Sequence, residues 1–173
     1  DDYQINGLVE NGEFNLLNQL YANNLNFGFN IYKKKYSITG MKATINDIKL
    51  SSSLLEIDEQ KNLFFIKGKF LTSEKDFNKD QLSSIFSRFL KNIDLKKVRF
   101  SSENNLSFNI NKKLKFNDLN IESIINLKEL VLKNNLINLN SYLPNLKKQI
   151  NFENHKIKIN YNNNQLEING NGE

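Results

Sequence analysis

Leu63-Phe64-Phe65-Ile66-Lys67-Gly68-Lys69-Phe70 decides the fold. Phe64, Ile66, Gly68 and Phe70 take every second place, with Lys67 and Lys69 between them. Successive side chains of an extended strand point to opposite faces, so this stretch makes a ribbon with one apolar and one wet face. The run Asp58-Glu59-Gln60-Lys61-Asn62 reads as a turn, and Leu54 to Ile57 before it supplies the partner of a hairpin.

The same alternation recurs at Leu25, Phe27, Phe29 and Ile31, at Leu106, Phe108 and Ile110, at Ile157, Ile159 and Tyr161, and at Leu166 and Ile168. It predicts a strand over 25–32, a turn at Lys33-Lys34-Lys35, and a strand from Tyr36. A bulge at Gly40 lets that strand continue through Ala43, Ile45, Ile48 and Leu50. Further strands are expected at Leu63–Leu71, Ile93–Phe100, Asn105–Ile110, Leu114–Ile121, Ile125–Leu132, Lys156–Tyr161 and Gln165–Gly170. Asn111-Lys112-Lys113 and Asn162-Asn163-Asn164 serve as turns, since Asn tolerates left-handed backbone angles. Residues 1–22 carry no clear pattern, and 134–150, around Pro144, read as a short helix or turn.

One segment leaves the period of two. Leu82, Ile85, Phe86, Phe89 and Leu90 fall at helical spacing and form a single apolar stripe. Asn78 as N-cap, with Gln81 three residues on, gives a capping box and a helix over about 78–91. The fold class is therefore mainly β, an antiparallel twisted sheet or open β-groove with one inserted amphipathic helix. The 173 residues are expected to be a single β-rich domain. A start at Asp1-Asp2 without methionine reads as a piece of a longer protein.

A local echo cuts across this pattern. Ile45-Asn-Asp-Ile48-Lys-Leu50, Leu95-Lys-Lys-Val98-Arg-Phe100, Phe116-Asn-Asp-Leu119-Asn-Ile121 and Leu127-Lys-Glu-Leu130-Val-Leu132 share one shape. The gap of three slips the alternation by one, so each copy needs a bulge or sharp bend to keep its apolar residues on one side. The copies have no fixed period, which argues against stacked repeats.

The formal net charge is +5, carried almost wholly by lysine, with arginine only at Arg88 and Arg99. Nucleic-acid readers favour arginine for bidentate contacts, so no nucleic-acid partner is expected. The lysine run 33–35 reads first as a solvated hairpin tip and second as a contact for phosphate or anionic lipid. Cysteine is absent, which removes disulfides, thiolate metal sites and a cysteine nucleophile. No apolar run approaches the roughly 20 residues of a membrane-spanning helix. The one histidine, His155, has no second ligand at metal spacing, and neither metal nor cofactor is expected. The acid pairs Asp58-Glu59 and Glu74/Asp76 lack the apolar surroundings that tune a general acid, and no nucleophile elbow surrounds any serine. The chain reads as non-enzymatic.

Lys42-Ala-Thr-Ile-Asn-Asp-Ile-Lys-Leu50, Leu63-Phe-Phe-Ile-Lys-Gly-Lys-Phe70 and Lys156-Ile-Lys-Ile-Asn-Tyr-Asn-Asn-Asn-Gln-Leu-Glu-Ile-Asn-Gly-Asn-Gly172 give the chain, over about 25–172, a texture that resembles the AsmA-like superfamily of bacterial envelope proteins. The resemblance is one of pattern, without a diagnostic motif. It implies an elongated periplasmic β-groove, anchored to the inner membrane by a segment absent from this chain. That groove would shield phospholipid acyl chains on their way towards the outer membrane. Its candidate lining is Phe27, Phe29, Ile31, Phe64, Ile66, Phe70, Phe108, Ile110, Ile157, Ile159 and Tyr161. Two other classes fit the residues. One is a structural or adhesion β-sandwich with a closed core. The other is a leucine-rich-repeat-like binding module, after Leu127-x-x-Leu130-x-Leu132-x-x-Asn135-x-Ile137.

Overall fold

The computed structural model describes residues 3–16, 20–83, 94–113, 115–133, 149–162 and 164–172. Nine strands form one antiparallel sheet in which every strand pairs with its neighbours in sequence. They are β1 (Gln4–Leu16), β2 (Leu20–Tyr32), β3 (Lys35–Ile45), β4 (Ile48–Gln60), β5 (Leu63–Phe77), β6 (Leu95–Asn111), β7 (Phe116–Lys133), β8 (Gln149–Asn162) and β9 (Gln165–Asn171). Among the described residues the fold is mainly β, an open antiparallel sheet with one short helix, as the alternation and the capping box predict.

Several boundaries differ from the sequence reading, each for a physical reason. Residues 4–16, where no pattern was legible, form β1. Asp58, Glu59 and Gln60 belong to β4, and the turn is reduced to Lys61-Asn62. The stretch from Tyr36 to Leu50 is two strands, because Asn46 and Asp47 both take positive φ (45° and 64°) and turn the chain back. The paired left-handed angles mark a type I′ turn, whose twist suits adjoining strands. Residues 95–111 and 116–133 are single strands of 17 and 18 residues, where the polar stretches Ser101–Asn105 and Glu122-Ser123 had suggested breaks. Of the expected helix, residues 79–83 are helical, and Asn78 and Gln81 bond each other's backbone reciprocally at 2.8 and 3.1 Å. The rest of the helix over 84–91, and the helix or turn expected over 134–148, lie outside the described residues.

Phase slips organise the sheet. Half-buried or buried positions in β3 run Tyr36, Ile38 and then Met41, Ala43. In β4 they run Ile48, Leu50, Ser52 and then Leu55, Ile57, Glu59. Each strand skips one place, Gly40 taking φ +59° at the skip in β3. The slips lie beside one another in two sets, one across β1–β4 and one, a few residues further along, across β5–β8. The register shifts fall at Val9/Gly12 in β1, around Asn26 in β2, at Ser51/Leu55 in β4 and at Thr72/Lys75 in β5. Beyond them lies the Arg99/Phe100 shift between β6 and β7, then Asn154 of β8 at φ 52°. A bulge sets two residues against one and bends its strand. The two sets of bulges therefore crease the sheet across β1–β4 and across β5–β8, while most of its apolar residues keep to one face.

Of the four echo segments, Ile45–Leu50 is a hairpin turn, while the other three contain bulges. These sit at the Leu95/Lys97 shift, at Asp118 (φ 51°) and opposite Phe100. Among the described residues with positive φ, Asn11, Asn24, Asn46, Asn154 and Asn164 are asparagines. The sheet thus makes local use of the chain's abundant Asn.

A valine at Gly40 would put a β-branched side chain in the left-handed region, at a cost of about 1–2 kcal/mol. Gly40→Val is expected to lower the urea midpoint accordingly. Gly40→Asn, which meets no atom within 4 Å of its new Cβ, should keep most of the parent's stability.

Candidate functional site

The cross-strand register assigns every residue to a face. One row crosses all nine strands: Gly7, Phe29, Ile38, Leu55, Gly68, Leu106, Ile121, Tyr161 and Leu166. No member carries a charge. The next row, towards the β2–β3 turn, is Ile5, Ile31, Tyr36, Ile57, Ile66 and Phe108. A row of the opposite face reads Asn6, Asn30, Ser37, Glu56, Lys67, Ser107 and Asn120. One face is mainly apolar and the other mainly polar, although Leu54, Phe65 and Leu71 stand exposed on the second and Glu59, opposite Phe64, lies on the first.

All eleven residues singled out from the sequence lie on the apolar face. Phe27, Phe29 and Ile31 come from β2, Phe64, Ile66 and Phe70 from β5, Phe108 and Ile110 from β6, and Ile157, Ile159 and Tyr161 from β8. Each is half-buried, neither sealed in a core nor fully exposed. Tyr36, Ile38, Leu55, Ile57, Leu106 and Ile121 line the same face, and the reading of isolated runs missed their continuity with the others. Their signal was parity relative to a neighbouring strand, which becomes readable only when the turns are placed. The glycines let side chains lie flat here. A Cβ on Gly7 would fall 2.4 Å from the Phe29 ring, and one on Gly68 would fall 2.1 Å from Leu55.

No large side chain among the described residues is more than 98% buried, and only the small Ala22 is fully enclosed. The best-packed cluster, Ile48, Phe77, Leu82, Leu95, Val98 and Leu127, sits at one end of the apolar face. Leu82 of the helical turn docks there, and Phe77 stacks on Phe100 at 4.5 Å between ring centres. The long connections 78–94 and 134–148 both join strands at that end. The other end has only the short connections 33–34, 61–62, 112–115 and 163–164. The apolar face is therefore capped at one end, and the described residues place no second layer over the other.

Strand spacing makes that uncapped part roughly 38 Å across and 20 Å deep, or roughly 750 Å². The largest apolar patch on an ordinary monomer is about 300–600 Å² and is often functional. The face is not uniformly greasy. Thr72, Ser102, Asn104 and Ser123 form a band of small polar groups beside the crease, and Asn104 donates to the Phe70 carbonyl and the Ser102 hydroxyl.

The polar face carries exposed ion pairs, Lys67–Glu56 at 3.1 Å and Lys97–Glu129 at 2.6 Å. Arg99 grips Asp76 with two bonds of 2.8 and 2.9 Å, and this pairing holds the Asp76 carboxyl below its usual range. Such pairs fix register more than they stabilise. On the apolar face, Tyr36 donates to Glu59 at 3.1 Å, which raises its hydroxyl pKa. Depressions of about 460 and 440 Å³ open on the polar face over β4–β7, lined mainly by Glu56, Lys67, Ser107 and Asn120. Lys67 and Glu56 pair with each other there, and Asp118 accepts from Asn109 at 2.7 Å, while Asp58 and Glu122 also line them. Among the described residues no cluster of ligands could hold a metal ion. His155 lies within β8 opposite Leu127, its Nδ1 2.8 Å from the Glu153 carbonyl oxygen and its ring edge-on to Phe152. It is packed against the apolar face beside Gly172 rather than placed at a strand edge.

No family model, curated protein or solved structure matches the chain.

Truncation separates an open face from a closed core. Phe77, 3% exposed, should lose about 3–5 kcal/mol on Phe77→Ala, the usual cost of a buried ring. Half-exposed Phe64 should lose about half as much or less on Phe64→Ala, as read from urea unfolding.

Proposed function

We propose that this chain is a non-enzymatic segment of an envelope protein whose apolar sheet face shields phospholipid acyl chains in transit between the inner and outer membranes. The observation that carries the reading is the nine-strand row from Gly7 to Leu166, uncharged from edge to edge and half-open to solvent. The resemblance to the AsmA-like superfamily supports it. In that setting the protein is periplasmic and held to the inner membrane by a segment outside this chain.

An acyl chain in water costs about 0.8 kcal/mol for each exposed CH₂. A face of Phe, Ile and Leu removes most of that cost without a specific polar contact. Sideways steps along equivalent rows then change little in energy, so movement needs a continuous surface rather than a site. Most charged groups stay on the opposite face, where Lys67 and Glu56 pair with each other; Glu59, at the rim of the apolar face, accepts a hydrogen bond from Tyr36. Nothing in this reading requires a reaction, a metal or a cofactor.

Native mass spectrometry of the purified chain tests it. One or a few phospholipids per chain are expected, and Phe64→Glu or Phe108→Glu should strip them while circular dichroism still reports a sheet. A folded, lipid-free parent chain would contradict the reading. So would lipid that survives several such charges along the face.

A further inference from the structure

The uncapped end of the sheet is also where its lysine-bearing tips collect. The short connections place Lys33 and Lys34, Lys61, and Lys112 and Lys113 at the tips, with Lys35 and Lys115 beside them. All seven are exposed. Among the described residues, Asp58, Glu59, Asp118 and Glu167 are the carboxylates of this end, set back along β4, β7 and β9, and Asp58 and Glu59 are half-buried. At the opposite end charges of both signs alternate, as in Lys79-Asp80 and the Lys133–Asp94 pair of 2.9 Å.

Taken in order, the β2–β3, β4–β5 and β6–β7 tips each stand two strands, or about 10 Å, from the next. That distance is close to the Debye length at physiological salt, so their fields add. Tyrosine marks the same end. Tyr3, Tyr32, Tyr36 and Tyr161, four of the six in the chain, lie at or next to the rim. Tyr3 and Tyr32 are 54% and 42% exposed, and the Lys33 ammonium sits over the Tyr32 ring at 5.1 Å from its centre. Lysine with exposed tyrosine beside an apolar surface is the chemistry of a headgroup layer, where aromatic rings settle between water and hydrocarbon. Nucleic acid would favour arginine, and the single described arginine, Arg99, lies elsewhere, in β6.

We propose that this lysine and tyrosine rim seats on the phosphate layer of an anionic phospholipid bilayer. The inference rests on the acyl-chain reading for its purpose, while its electrostatics stand apart from it. The rim supplies the contact from within this chain, in addition to any anchor elsewhere.

Vesicle flotation tests the rim directly. The chain should float with phosphatidylcholine vesicles containing about a third phosphatidylglycerol and stay behind with pure phosphatidylcholine, and added salt should release it. Each lysine near such a surface is worth about fivefold in partitioning. Combining Lys33→Gln, Lys34→Gln, Lys112→Gln and Lys113→Gln should therefore weaken binding about a hundredfold or more. A charge-matched control, Lys75→Gln, Lys128→Gln, Lys156→Gln and Lys158→Gln, should stay within a few-fold of the parent. Ile159→Glu, set back from the rim opposite Ser123, should still float even where acyl-chain occupancy is lost. Failure of the parent to bind anionic vesicles would overturn the proposal, as would equal losses in rim and control variants. Preference for a single-stranded oligonucleotide over the vesicles would overturn it too.

Discussion

The sheet depends on a rule of parity. In an antiparallel meander directly opposed residues share a face, so one misplaced residue would turn a whole strand inside out. This chain carries extra residues at several places and remains one-faced because neighbouring strands slip together. β3 and β4 keep one register from Lys35↔Asp58 to Ile45↔Ile48 although both skip a place midway. β7 and β8 do the same between Leu127↔His155 and Leu130↔Phe152. Where β6 runs straight, β5 and β7 each take their extra residue opposite Phe100. The creasing is thus a property of the whole sheet, and the uncharged rows beside it are its consequence.

Much of this was legible in the residues. Period-two runs such as Phe64–Phe70 and Ile157–Tyr161 can only be one-faced ribbons, and the Asn78/Gln81 box marks the helix start. The spacing of three in Leu127–Leu130 announced a bulge, yet the same spacing in Ile45–Ile48 is a turn. Asn46-Asp47 can serve either purpose, and only pairing with a neighbour decides between them. β1 stayed hidden because Gly7, Asn11 and Gly12 interrupt its apolar set. Long β6 and β7 looked broken because Ser102, Asn104 and Ser123, which face the apolar side at the crease, read locally as loop residues.

The lining was legible in membership and illegible in extent. Parity within each run selects Phe27, Phe108 and Ile159 for the apolar face, and the register brings them together. Which of its members stand open depends on where the long connections fall, and no local pattern encodes that. The same placement concentrates the lysine-bearing turns at the open end. Lys33-Lys34-Lys35 looked like an isolated hairpin tip until the meander set Lys61 and Lys112-Lys113 beside it.

The central claim is that one face, and only one, meets lipid hydrocarbon. Benzophenone side chains placed singly along β8, in turn at 157, 159 and 161 and at 156, 158 and 160, would read this directly after irradiation with phospholipid. Crosslinks to acyl chains from the first three positions and none from the second three are predicted. Equal labelling from both sets, or none from either, would contradict the account.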